Sequence, residues 1–99
     1  MYARTITAAL VPGKGDEAIR IFRDEIVPII RDQPGYVGTA IYLDREQNKA
    51  RTVSYWESQE LEQATAEGTD YLSKVVNMLK GCLVNKEYNH WEIGYWDRP

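Results

Sequence analysis

Two β-prone stretches, residues 36–43 (YVGTAIYL) and 50–56 (ARTVSYW), are separated only by the polar run DREQNK. Branched and aromatic residues at this density suit a pleated surface, and so short a polar connection joins antiparallel neighbours. This hairpin is set between two helical patterns. Before it, Ile19, Phe22, Ile26, Ile29 and Ile30 recur at three- and four-residue steps behind Asp16, which reads as an N-cap. Pro28 lies within that stripe and removes the hydrogen bond to the Asp24 carbonyl, so a kink or a tightened last turn is expected before QPG at 33–35 closes the helix. After the hairpin, Ser58 caps a second helix. Gly68-Thr69-Asp70 interrupts it, and Leu72, Val75, Val76 and Leu79 resume the stripe up to Gly81.

The first and last strands in sequence are read over 2–11 (YARTITAALV), ending at the turn PGKG, and over 85–96 (NKEYNHWEIGYW). PGKG is not a phosphate loop, because Gly15 follows the lysine where such a loop carries Ser or Thr. The order β-α-β-β-α-β defines an α+β, ferredoxin-like antiparallel sheet with helices on one face. A sheet wetted on its other face would alternate apolar with polar residues. These strands do not: Tyr2, Ile6 and Leu10 oppose Ala3, Ala9 and Val11 in the first, and Val53 and Tyr55 oppose Trp56 in the third. Tyr88 and Trp96 likewise oppose Trp91, Ile93 and Tyr95 in the last. Apolar residues on both faces call for a second cover, and a symmetric copy of the chain is the economical one.

The 99 residues have room for one domain, expected over 1–99. A net charge of −3, with twelve basic residues scattered among fifteen acidic ones, argues against a nucleic-acid partner. No apolar run approaches the ~20 residues of a membrane span, and the opening MYARTI lacks the apolar segment of a secretory leader. Cys82 is the only cysteine, which rules out an intrachain disulfide and makes the cytoplasm the expected compartment. It reads as a small hydrophobe following a helix. The acid pairs Asp24-Glu25 and Glu60-Glu62 fall on positions expected to face solvent.

The run of a strand, PGKGDEA, a helix ending VPIIRDQPG, then YVG and YWES before a second helix resembles the antibiotic biosynthesis monooxygenase domain, from Tyr2 to Tyr95. The resemblance implies a homodimer with two sheets packed face to face as an α/β barrel, and a pocket in each subunit between sheet and helices. It also implies a cofactor-independent monooxygenase, with no metal, that oxidises a small aromatic or quinol-like compound after deprotonating it. The alternative is a non-catalytic dimeric member that binds a small apolar ligand or serves as a structural module.

Trp56 corresponds to the tryptophan of an Asn-Trp-His trio in the heme-degrading branch. Thr5 and Thr7 stand where the asparagine is expected, and Val75 and Val76 where the histidine is, so heme degradation is disfavoured. The expected substrate-binding residues are Thr5, Thr7, Phe22, Trp56, Tyr71, Leu72 and Val75. No catalytic residue is identified, Trp56, His90 and Tyr71 being the weak candidates. Trp56 is read as packing that walls the pocket, and His90 as a structural or interface residue.

Overall fold

The computed structural model describes residues 1–97 and 99. Four strands, β1 (Tyr2–Leu10), β2 (Tyr36–Asp44), β3 (Lys49–Trp56) and β4 (Leu83–Glu92), form one antiparallel sheet in the order β2-β3-β1-β4. The helical segments are α1 (Gly15–Ile21), a π-helical turn (Phe22–Ile26), α2 (Val27–Ile30), α3 (Gln59–Gln63) and α4 (Asp70–Leu79). This is the ferredoxin-like α+β arrangement. Among the described residues no helix is long and apolar enough to cross a membrane.

Each helix begins or bends for a local reason. Ser58 Oγ accepts from the Leu61 N–H at 3.2 Å and Thr69 Oγ1 from the Leu72 N–H at 3.3 Å, which fixes the starts of α3 and α4. Asp16 is not the cap expected of it: α1 starts at Gly15, behind Lys14, and the Asp16 carboxylate instead accepts from Arg45 at 2.8 Å. Pro28 has its effect one turn earlier than a kink at the proline itself. With no N–H at position 28, the chain widens to a π turn just before it, and the Val27 N–H reaches back five residues to the Phe22 carbonyl. The turn leaves Phe22 and Ile26 both buried against the sheet.

Register determines what faces the helices. In the β1–β3 ladder Arg4 lies opposite Ser54 and Ile6 opposite Thr52, while in β1–β4 Arg4 lies opposite His90 and Ile6 opposite Tyr88. Directly paired residues share a sheet face, so Ser54, Arg4 and His90 form a row across three strands beneath the helices. The last strand ends at Glu92, four residues short of the expected Trp96, and the β1–β4 register shifts between Thr7 and Ala9. Asn85 sits in that shift with φ 56°, so Leu83 and Lys86 both turn inward although their numbers differ by three. Cys82 is buried in the apolar core, where burial pushes its thiol pKa up.

The face away from the helices carries Ala3, Thr5, Thr7, Val53 and Tyr55, which line an open groove of about 560 Å³ together with Tyr42 and Arg51. Beyond the strand, Trp96 packs on Tyr55 with ring centres 5.2 Å apart, and the Trp91 indole donates to Thr5 Oγ1 at 3.0 Å.

Candidate active site between sheet and helices

The helix face of the sheet encloses a cavity of about 40 Å³ lined by apolar side chains that include Phe22, Ile26, Leu72 and Val75, with Arg4, Ser54, Tyr71 and Lys86 among its polar residues. Leu72 and Val76 separate it from a surface cleft of about 260 Å³ formed with Glu67, Gly68, Ser73 and Tyr88.

Phe22, Tyr71, Leu72 and Val75, expected at a pocket, therefore stand together around this space. Thr5 and Thr7 do not. The ladder that puts Ser54 opposite Arg4 assigns the helix face to the even-numbered residues of β1, and both threonines lie on the far face, in the open groove. Trp56 is on the expected face, but it is fully buried and is not among the residues lining the cavity. It forms a layer behind: its indole N–H donates to Ser54 Oγ at 3.0 Å, Tyr36 meets it edge-on at 6.1 Å, and the Arg4 guanidinium carbon lies 5.5 Å from its ring centre.

Glu62 corrects the reading of its acid pair as solvent-facing. It is 0% exposed and Arg4 2% exposed, and Arg4 Nη1 donates to Glu62 Oε2 at 2.9 Å, to the Glu62 carbonyl at 3.1 Å and to Thr65 Oγ1 at 3.2 Å. A buried arginine requires a partner of this kind, since an isolated buried charge is far too costly. On the other side of Glu62, His90 Nδ1 lies 2.8 Å from Oε1, while His90 Nε2 is 3.0 Å from a Glu67 carboxylate oxygen near the surface. His90 thus has the paired carboxylates that sequence spacing did not reveal, because they come from α3 and from the connection into α4. Partial burial opposes the imidazolium, but the hydrogen bonds to Glu67 and Glu62 outweigh it and raise the His90 pKa. Partial burial also opposes the Glu67 carboxylate, yet its bond with His90 carries its pKa below the usual range.

Two further groups border the cavity. Burial pushes the Tyr71 pKa up to about 12, which keeps it a phenol and a hydrogen-bond donor at neutral pH. Lys86, which sequence reasoning passed over, has its pKa lowered by burial and donates to the Leu83 carbonyl at 2.8 Å. The sign of Lys86 in the sequence is its even number, shared with Tyr88 and His90 in β4. The residues lining the cavity include no His, Cys or Met, and the oxygen and nitrogen donors among them that could meet a porphyrin iron are Tyr71 and Lys86.

A four-stranded antiparallel sheet with helices over one face, enclosing a small cavity of mixed apolar and polar lining, makes the chain an α+β domain of ferredoxin-like fold. The antibiotic biosynthesis monooxygenase family profile matches residues 1–73, and the chain belongs to that family. In structure it is similar to a monooxygenase from the gene ActVA-Orf6 of Streptomyces coelicolor, solved in complex with nanaomycin D, with TM-score 0.79 and 12% identity over 99% of this chain and 91% of that one. It is also similar to SnoaB, a cofactor-independent oxygenase from Streptomyces nogalater, with TM-score 0.71 and 14% identity over 96% and 95% of the two chains. A third likeness is to a variant of MhuD with two manganese protoporphyrin IX bound per active site, with TM-score 0.76 and 17% identity over 100% of both chains. Identities this low show the shared fold. An uncharacterized protein of Mycobacterium tuberculosis (strain ATCC 25618 / H37Rv) is 31% identical over 67 residues, which cover 68% of this chain and 28% of that protein. The chain thus matches little more than a quarter of the length of this curated relative.

Proposed function

We propose that the chain is a monooxygenase that oxidises a small phenol or quinol-like compound between its sheet and helices, without metal or flavin, and that it works as a homodimer paired through the open sheet face. The observation that carries the reading is the largely apolar cavity with the Arg4 guanidinium and the Lys86 amine at its border. An apolar surround desolvates an aromatic ring, and a neighbouring cation favours its anion. Lys86 and the phenol Tyr71 border the same space, where each can hydrogen-bond to the substrate oxygen, and in its neutral form, which burial favours, the Lys86 amine can take the phenolic proton and become the ammonium. The electron-rich anion then reduces oxygen directly. Overall, one ring C–H, para to the hydroxyl in a phenol or ortho to one in a hydroquinone, becomes a C–O carbon of the quinone product with one atom of O₂, the other atom leaves as water, and the substrate supplies all four electrons.

SnoaB, described as a cofactor-independent oxygenase, supports this reading by likeness of fold. The pairing is supported by large apolar side chains exposed on or beside the open face, Tyr42 and Trp91 each at 54%. The small size of the cavity favours a second reading, a non-catalytic member that binds a small apolar compound. Oxygen uptake with a panel of hydroquinones and phenols separates the two. The proposal expects saturable, protein-dependent uptake of one O₂ per substrate and one ¹⁸O from labelled O₂ in the product. Ligand binding with no uptake across the panel would leave the second reading.

A further inference from the structure

The buried side-chain polar atom left without a hydrogen-bond partner among the described residues is Arg4 Nε. Buried N–H groups are almost always paired, so this one, on a residue that borders the cavity, needs an explanation. The Arg4 Nη1 donor is committed to Glu62 and Thr65, which fixes the guanidinium plane. Trp56 lies against the same group at 5.5 Å and restricts it further. Arg4 is therefore held in place by groups that leave Nε–H unused, on a residue that borders the apolar cavity.

We propose that Arg4 is the anion anchor of this cavity, its Nε–H donating to the oxygen of a phenolate or enolate whose ring lies among Phe22, Ile26, Leu72 and Val75. The inference rests on the oxidation site being this cavity, and it names the ligand class: a planar, largely apolar ring bearing one acidic hydroxyl. The enclosed space is well below the several hundred Å³ of ordinary ligand pockets. A ring enters by displacing Leu72 and Val76, the two side chains shared with the outer cleft of about 260 Å³. Net charge favours the anion when His90 is protonated: Arg4 and His90 then balance Glu62 and Glu67, and loss of the His90 proton leaves the group one charge more negative.

The test uses 4-nitrophenol, whose ionisation is visible by colour, and its methyl ether as a neutral control. On the wild-type chain the bound nitrophenol should titrate about 1 to 3 pH units below its value in water, as expected for a phenol beside a cation, and it should outcompete the ether. Arg4→Lys retains a cation for Glu62 and deletes the Nε–H, so both preferences should shrink by roughly tenfold, one pKa unit. Arg4→Met combined with Glu62→Leu removes the pair together, avoiding an orphaned buried carboxylate, and should abolish them. Nitrophenol that titrates as in water, binds no better than its ether, fails to bind, or binds unchanged to a folded Arg4→Lys protein overturns the anchor. Anionic binding with no quinol turnover would instead sink the oxidation reading and leave the anchor standing.

Discussion

Arg4 and Glu62, 58 positions apart in the sequence, meet at 2.9 Å where neither is more than 2% exposed. That pair ties the central strand to the five-residue helix α3, which is too short to be stable alone. Glu62→Ala leaves a buried guanidinium uncompensated and should cost about 3 to 5 kcal/mol. Pairing Arg4→Met with Glu62→Leu should recover most of the loss, since apolar replacements of buried ion pairs are often neutral or better. Urea unfolding of the three proteins checks this, and a double variant as unstable as Glu62→Ala would mean that the pair itself supplies the stability.

His90 makes stability depend on pH. Its pKa is raised in the fold above the 6.5 of the unfolded chain, so the folded state binds its proton more tightly. Its contribution is complete below pH 6.5 and fades as pH rises through the raised folded value. Glu67, held below the 4.5 of the unfolded chain, acts in the opposite direction: its contribution is present above 4.5 and is lost as pH falls through the lowered folded value. His90→Gln should therefore flatten the alkaline decline in the urea midpoint above pH 6.5. A wild-type midpoint that is level from there to pH 9 would remove His90 from the account.

Trp56 should matter for packing more than for turnover. Truncation to alanine empties a fully buried site and should cost about 3 to 5 kcal/mol. Trp56→Phe retains most of the volume but withdraws the N–H from Ser54, a loss of roughly 1 to 3 kcal/mol. Because Trp56 lies behind the cavity, the phenylalanine variant should keep any quinol turnover once folded. Lost turnover at an unchanged melting temperature would make the indole a chemical participant.

Pairing through the open face predicts a species of two chains in sedimentation at micromolar concentration. Tyr42→Glu introduces a charge on an exposed aromatic at the groove and should shift the species toward one chain. A wild-type monomer would refute the pairing.

The helix order, the hairpin, the Ser58 cap and the apolar half of the cavity were legible because each depends on local periodicity or turn chemistry. Phe22, Tyr71, Leu72 and Val75 lie on helical stripes, and stripes can be counted. Glu62 was not legible. Its burial depends on where a short helix lands relative to β1, and an isolated Glu60-Glu62 pair reads as solvated. The better signal was Arg4: a charged residue inside a strand, of the same parity as Ile6, demands a buried counter-charge. Thr5 and Thr7 were placed at the pocket by the resemblance alone, whereas the face follows from the β1–β3 register, which sets Arg4 and Ile6 towards the helices. The inward turn of Leu83 depends on the shift at Asn85, which nothing in the local sequence marks.

Gly35 connects the chain's turn geometry to the buried pair. It has φ +79°, and a Cβ built there would lie 2.5 Å from Leu61 Cδ1 and 2.8 Å from Leu61 Cβ. Its carbonyl accepts from the Glu57 N–H at 2.9 Å, so the turn after α2 and the start of α3 are held together at this point. Gly35→Ala should cost at least about 1 to 2 kcal/mol for the left-handed backbone alone. The further push on Leu61 is directed at α3, where the next residue is Glu62, so displacement there loosens the Arg4 contact. Two observations separate strain from this coupling. In Gly35→Ala the pH dependence assigned to His90 should weaken, because Glu62 no longer sits squarely between Arg4 and the imidazole. Leu61→Ala added to Gly35→Ala should cost less than Leu61→Ala alone, since it removes the Cδ1 and Cγ part of the clash and leaves only the Cβ contact at 2.8 Å. Strict additivity of the two substitutions, with an unchanged pH profile, would show that Gly35 serves the turn only and does not position Glu62.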